Sequence, residues 1–290
     1  QDASPQRSMP LWQRKEVQEL PRQRTEIKRI NGKPQIHNIM KIDIQSLKKV
    51  FGDKTAVDIQ QFQINHGDIL GLVGNNGAGK TTLFRLMLDL LKAEEGRVLF
   101  TPSASIADND ETNVINPASS ENWKPLTGAY IDDSFLIDFL TPEEYIDFIA
   151  KANGVKRIDW KHIDDPESPM APFLAFTHGE IFGQKKLIRD FSAGNKQKVG
   201  IIAAMFTKPE LLILDEPFNF LDPSGQNILK KLLLSYHASS QATILISSHN
   251  LQHTVEISSR VALMETGRII EDINNRDGNA GKALEEYFMV

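Results

Sequence analysis

The sequence predicts an α/β fold with a core of mostly parallel strands, an antiparallel β portion near the N-terminus and a helical insertion. Three observations support this. The apolar run Ile69-Leu70-Gly71-Leu72-Val73 suits a buried parallel strand, and it leads through a glycine-rich stretch into Thr82-Leu83-Phe84-Arg85-Leu86-Met87-Leu88, which suits a helix. A second apolar run, Leu211-Leu212-Ile213-Leu214, ends abruptly in Asp215-Glu216-Pro217. From there strand and helix patterns alternate, as α/β chains do.

In chain order, residues 1 to about 38 are rich in Gln, Arg and Pro without sustained periodicity and read as a tail or linker. Met40-Lys41-Ile42-Asp43-Ile44 alternates strictly, predicting an edge-type strand, and a second strand is expected over Val57 to Ile64 before the His66-Gly67-Asp68 turn. Beyond the helix that follows Lys80, Glu94-Glu95-Gly96 reads as a turn and Arg97 to Phe100 as a short strand. Residues 101–122 are small, polar and acidic, a surface excursion with nothing to anchor a core.

Thr141-Pro142-Glu143-Glu144 carries the chemistry of a helix start: a capping Thr, a Pro suited to the first turn, and a Glu placed to close a capping box. Tyr145, Ile146, Phe148, Ile149 and Ala152 supply its apolar face, and Asn153-Gly154 stops it. Pro166, Pro169 and Pro172 break up residues 155–190. The remainder reads as a helix over Gln226 to Tyr236, a strand over Ala242 to Ser247, and a helix over Leu251 to Ser258. Val261 to Glu265 and Arg268 to Ile270 then form a hairpin around Thr266-Gly267.

Bulk properties narrow the function. The chain has 290 residues, 40% hydrophobic and 24% charged, which is ordinary for a globular protein. A formal charge of −5 gives no electrostatic case for nucleic acid as a main partner. With no cysteine, disulfides, thiolate nucleophiles and cysteine metal sites are excluded. Apolar stretches such as Val199 to Phe206 fall far short of the ~20 residues a spanning helix requires. The first thirty residues have no apolar core and do not read as a secretion signal.

The chemistry starts at residues 74–82, Gly-Asn-Asn-Gly-Ala-Gly-Lys-Thr-Thr, which fit the phosphate-binding pattern G-x-x-x-x-G-K-[ST] between a strand and a helix. Backbone N–H groups of Gly74, Asn75, Asn76, Gly77, Ala78 and Gly79 can then converge on an anion at a helix N-terminus, with Lys80, Thr81 and Thr82 opening that helix. The strand ending in Asp215-Glu216 supplies the complement: Asp215 placed to hold Mg²⁺, and Glu216, pointing differently, placed to accept a proton from attacking water. Phe191-Ser192-Ala193-Gly194-Asn195-Lys196-Gln197-Lys198 is a small-residue turn opening a second helix, and so a second anion-binding terminus in one chain.

That last segment resembles the signature of ATP-binding cassette (ABC) ATPases, in the S-x-G-x-x-Q-[KR] form frequent in exporter subunits. The resemblance covers roughly residues 40 to 275. It implies a P-loop NTPase core in a domain at 39–275, with a helical subdomain at about 134–195 carrying the signature, and a C-terminal segment at 276–290. It implies ATP and Mg²⁺ as ligands, and a second ABC ATPase chain docked head to tail as a homodimer, so that Ser192, Gly194 and Asn195 of one chain face the nucleotide of the other. Phe51 stands where the family stacks an aromatic on adenine, Phe220-Leu221-Asp222 resembles the segment crossing the dimer interface, and His249, after Ser247-Ser248, resembles the histidine that contacts the γ-phosphate and the attacking water. Catalysis would fall to Glu216, His249 and Lys80, and metal binding to Thr81, Asp215 and Asp133.

Two departures stand out. Tyr130-Ile131-Asp132-Asp133 replaces a segment in which the family has a glutamine that senses metal and couples to the membrane partner; Asp133 is the nearest match. Ala193 and Asn195 replace the commonest signature residues while keeping a small turn and a polar side chain. The resemblance further implies a separate transmembrane permease subunit, an export function for drugs, peptides or antibiotics, no nucleic acid partner, and a cytoplasmic place on the inner face of the membrane. Two other readings stay open: a non-transport ABC ATPase of translation or chromosome maintenance, and a nucleotide-binding regulator that does not hydrolyse. A single phosphate loop and no sustained heptads between Lys80 and Asp215 speak against the first; Glu216 and His249 speak against the second.

Overall fold

A computed structural model of the chain describes residues 29–30, 33–34, 40–102, 114–249, 251–282 and 284. Two units separate, Gln1–Gln35 and Ile36–Val290. Within the first, Arg29–Ile30 pairs antiparallel with Lys33–Pro34. The second carries everything below.

Its strands, in chain order, are β1 (Met40–Phe51), β2 (Lys54–Ile64), β3 (Ile69–Val73), β4 (Glu95–Pro102), β5 (Thr127–Tyr130), β6 (Leu211–Leu214), β7 (Thr243–Ser248), β8 (Arg260–Glu265) and β9 (Arg268–Asn274). Its helices are α1 (Lys80–Met87), α2 (Pro142–Ala152), α3 (Leu174–Thr177), α4 (Ala193–Met205), α5 (Pro223–Ser240) and α6 (Leu251–Ile257). Six strands form one sheet in the order β9-β8-β3-β7-β6-β5, parallel throughout except for the β8–β9 hairpin. The other three form an antiparallel sheet, β2-β1-β4.

The period-2 alternation of strand side chains builds a layered core. From one face of the large sheet, Leu70, Leu72, Ile213 and Leu245 pack with Leu83 and Phe84 of α1 and with Met40, Ile42, Ile44, Val57 and Ile59 of the small sheet. From the other, Leu212, Leu214, Ile244 and Ile246 pack with Val199, Ile201 and Ile202 of α4 and Leu229 and Leu233 of α5. α1 is thus held on the inner side, between the sheets.

Three expectations need correction. The strand beginning at Met40 is the middle strand of its sheet, not an edge; its alternation reflects one buried face, which central and edge strands of a half-covered sheet share. In α2 the capping box forms as expected, Thr141 accepting from Glu144 N and Glu144 from Thr141 N, and Tyr145 and Ile146 are buried. Phe148, however, is 51% exposed and Ala152 is exposed, while Ala150 takes the buried place on that face. The excursion at 101–122 does have an anchor: Ile115 pairs with Phe100, and Trp123 just beyond it is buried edge-on against the Phe100 ring. Residues 103–113 of that excursion lie outside the described residues.

β5 had no counterpart in the strand pattern, because Thr-Gly-Ala-Tyr is short and carries no apolar run. Its glycine has a packing reason. A Cβ on Gly128 would lie 1.9 Å from the Ala204 carbonyl oxygen, and one on Gly200 would lie 2.3 Å from the Tyr130 ring. The two glycines let α4 lie directly on β5.

Candidate active site

The C-terminal ends of the parallel strands meet at one edge of the large sheet, where open α/β sheets bind ligands. β3 runs there into the glycine loop, β6 into Asp215-Glu216, and β7 into His249.

The glycine loop must pass under the hairpin of the small sheet and over β8. A Cβ on Gly79, whose φ is +111°, would meet the Ala56 carbonyl at 2.3 Å, and one on Gly74 would meet the Met264 carbonyl at 2.2 Å. Both positions therefore require glycine. Gly79 is also the N-cap of α1: it offers no side chain, and the first turn of the helix has no acid. Three other helix starts carry a side-chain cap, α2 from Thr141, α4 from Ser192 and α5 from Asp222. At α1 the first-turn N–H groups are left for an external anion, with the positive end of the helix dipole behind them.

Lys80 is 5% exposed, and its Nζ donates to the carbonyls of Gly74 at 2.7 Å and Asn75 at 3.3 Å, so the ammonium lies folded inside the loop. It also lies 3.5 Å from Glu216. Thr81 donates its hydroxyl to Asp215 Oδ2 at 2.5 Å, and Ser247 donates to Asp215 Oδ1. Burial pushes the Asp215 carboxyl above its ordinary pKa; the hydroxyls of Ser247 and Thr81 work against this, and the neighbouring charge of Glu216 adds to it.

Glu216 is positioned by its backbone. Its φ of 47° is unusual for a residue with a Cβ, and the surroundings enforce it. Its N–H donates to Ser247 Oγ at 2.9 Å, and its carbonyl accepts from Gln197 Nε2 at 3.0 Å and Asn219 N at 3.1 Å. The side chain swings away from Asp215: Oε2 meets His249 Nδ1 at 2.8 Å and the His249 amide at 3.2 Å, and Oε1 faces Lys80. One carboxylate is buried among hydroxyls, the other half-open between a lysine and a histidine. Adjacent carboxylates thus have separate surroundings.

Lys80, Thr81, Asp215, Glu216 and His249 are therefore drawn together by direct contacts. Asn75, Asn76 and Gly77 form the exposed rim of the loop, Gly74 and Ala78 are buried, and Thr82 is half-buried on α1. The remaining expected residues sit elsewhere. Phe51 is 50% exposed at the β1–β2 turn, with the Lys49 ammonium 5.2 Å from its ring centre. Ser192 accepts from Asn195 N at 3.3 Å, closing its own helix start, while Asp222 accepts from Gly225 N at 3.0 Å. Gly194 packs against the Phe220 carbonyl, where a Cβ would come within 2.5 Å. Asp133 is exposed; it is Asp132 that turns towards α1, pairing with Arg85 at 2.9 Å. Burial pushes the Asp132 carboxyl up, but the Ser134 hydroxyl and amide and the Arg85 guanidinium outweigh it and hold it below the ordinary value.

Two contributors lie inside the quoted motifs but were not among the expected site residues. Ser247 links the Asp215 carboxylate to the Glu216 backbone N–H, and Gln197 of the signature helix holds the Glu216 carbonyl. A serine at the end of the strand before His249 was the available signal for the first.

The sequence matches the ABC transporter family over residues 57–219, more than half of the chain. The chain belongs to this family. It is 32% identical over 233 residues to the bacitracin transport ATP-binding protein BcrA of Enterococcus faecalis, covering 80% of this chain and 69% of that protein. It is 28% identical over 248 residues to the lantibiotic transport ATP-binding protein SrtF of Streptococcus pyogenes, covering 85% of this chain and 95% of the relative. Among solved structures, an ATP-binding subunit of an ABC transporter superposes with a TM-score of 0.68 at 23% identity, over 86% of this chain and 98% of that one. A dimeric bacterial ABC transporter cassette superposes with a TM-score of 0.64 at 17% identity, over 80% and 98%. The cassette is an ATPase.

Proposed function

We propose that this cassette drives an exporter, hydrolysing ATP between two head-to-tail copies, with Glu216 as general base. The observation that carries the catalytic assignment is the position of the Glu216 carboxylate, 2.8 Å from His249 Nδ1 and 3.5 Å from Lys80 Nζ, beside a buried Asp215. A water oxygen attacks the γ-phosphorus in line, its proton passes to Glu216, and the bond to the bridging oxygen of the ADP leaving group breaks. Lys80 and the loop amides stabilise the charge that develops on the phosphoryl oxygens, and His249 orients the carboxylate and the γ-phosphate. Thr81 and Asp215 present adjacent hard oxygen donors, and Asp215 is buried with its ionised form disfavoured, so the pair fits Mg²⁺. Bound there, Mg²⁺ would neutralise phosphate charge.

Ser192, Gly194 and Asn195 lie on a separate helix start from the loop, which supports a shared site: the second copy supplies its signature turn across Phe220-Leu221-Asp222. For the permease, a groove of about 250 Å³ runs between β5, α2 and α4, lined by Tyr130, Leu136, Tyr145, Ile149 and Gly200, with Asp132 and Phe135 among its walls. Phe135 is 50% exposed, and Phe139 and Phe148 of the same subdomain are 65% and 51% exposed. Such apolar exposure suits a partner chain. Among the described residues no helix is long and apolar enough to cross a membrane, and we propose the permease as a separate chain. Asp132 borders this groove and Asp133 follows it, and we assign this step the sensing role: Asp133→Gln leaves ATP binding intact, whereas a collapse of nucleotide affinity would make Asp133 an essential metal ligand.

Glu216→Gln tests the mechanism. It should retain ATP, trap a dimer and lose about 10²–10⁴-fold in turnover, the usual range for a general base. Wild-type turnover in this variant would reassign the base. Purification from native membranes tests the transport role: a hydrophobic multi-span chain should accompany the cassette, and ribosomes or DNA in its place would contradict it.

A further inference from the structure

Phe51 and Lys54 are directly paired across the β1–β2 hairpin, with Gly52-Asp53 as its turn. The strand leaving that turn is fastened to the glycine loop. The Ala56 carbonyl packs against Gly79, and Gly267 ties the two segments together, donating to the Ala78 carbonyl at 2.8 Å and accepting from Asp58 N at 2.8 Å. The hairpin tip is therefore held in register with the loop. In that register the Lys54 ammonium lies 3.8 Å from the Cβ position of Gly77, on the exposed rim of the loop.

Neighbouring cations have acidic partners: Lys48 pairs with Glu95, Lys49 with Glu94, and Arg268 with Asp58. Among the described residues, Lys54 has none. It is an unpaired ammonium beside amides that are themselves arranged for an anion, and an ammonium has three donors and no acceptor.

We infer that Lys54 is a second phosphate-binding lysine, contacting the phosphate chain of the bound nucleotide from the solvent side of the loop while Lys80 reaches it from within. The inference rests on the nucleotide reading above and adds a specificity element to it. One turn then holds both ends of the ligand, the base on Phe51 and the phosphates on Lys54, so affinity depends on a phosphate chain being present. Because Lys54 is exposed, its share of the binding is screened by salt, unlike that of the buried Lys80.

The test measures equilibrium binding of MgATP and MgADP to the full chain at low and at physiological salt. The variants are wild type, Lys54→Gln, Lys54→Arg and Lys80→Ala. Lys54→Gln should weaken both nucleotides about tenfold at low salt, the size of one charge-assisted hydrogen bond, and the deficit should shrink as salt rises. Lys54→Arg should restore most of it. Unchanged affinity in Lys54→Gln would overturn the inference, as would a deficit that is indifferent to salt and not restored by arginine. ATP binding by Lys80→Ala at wild-type strength would instead overturn the nucleotide reading itself.

Discussion

At the residue scale, the site trades stability for chemistry at Asp215. Burial raises its pKa, so its ionised form is disfavoured in the fold. For a carboxyl raised in the folded state, the favourable contribution is complete below the unfolded pKa and disappears as pH rises through the folded one. Without nucleotide or Mg²⁺, Asp215→Asn should therefore raise the melting temperature at neutral pH. Its advantage should narrow as pH falls through the carboxylate range, while MgATP turnover is lost. A variant less stable than wild type at neutral pH would show that the Thr81 and Ser247 hydroxyls outweigh burial. Lys80→Ala belongs to the same scale: with the only buried ammonium in the described loop removed, ATP binding or turnover should be abolished, and unchanged hydrolysis would remove the loop from the mechanism. Legibility at this scale divides by type of contact. Lys80, Thr81, Asp215, Glu216 and His249 could be read from motif and position. The contacts of Arg85 and Ser247 could not, because each acts through a partner far away in sequence, and only the fold supplies those pairings.

At the level of elements, local chemistry was most legible where a helix carries its own punctuation. The Thr141 capping box formed as written; replacing Thr141 with Ala should cost about 1 kcal/mol in chemical denaturation, the usual worth of such a cap. The α5 helix begins earlier than its apolar pattern, at Pro223, because its start is set by Asp222 and Pro223 rather than by its first core residue. β5 stayed hidden, since its sequence answers to close packing rather than hydrophobic burial. That packing is testable: Gly128→Ala forces a methyl onto the Ala204 carbonyl, should destabilise the chain by roughly 1–3 kcal/mol, and should reduce turnover by shifting α4 and its signature turn. A Gly128→Ala protein with wild-type stability would mean that α4 is not seated on β5 as described.

Across the whole molecule, two sheets with α1 between them hold the glycine loop fast, while the signature turn starts a helix on the opposite face of the large sheet. The loop has an uncapped helix start and needs an anion; the signature turn starts a separate helix, capped by Ser192. Neither fact was visible in the strand-and-helix pattern. The family resemblance supplied the idea of a shared site, and the separate placement of the two turns gives it a physical basis. The most direct measurement is ATP turnover per chain followed through a dilution series. A site completed by a second copy predicts that specific activity falls as the chain is diluted and that Ser192→Arg abolishes it at every concentration. Specific activity that stays constant to the lowest concentration, with Ser192→Arg as active as wild type, would contradict the account.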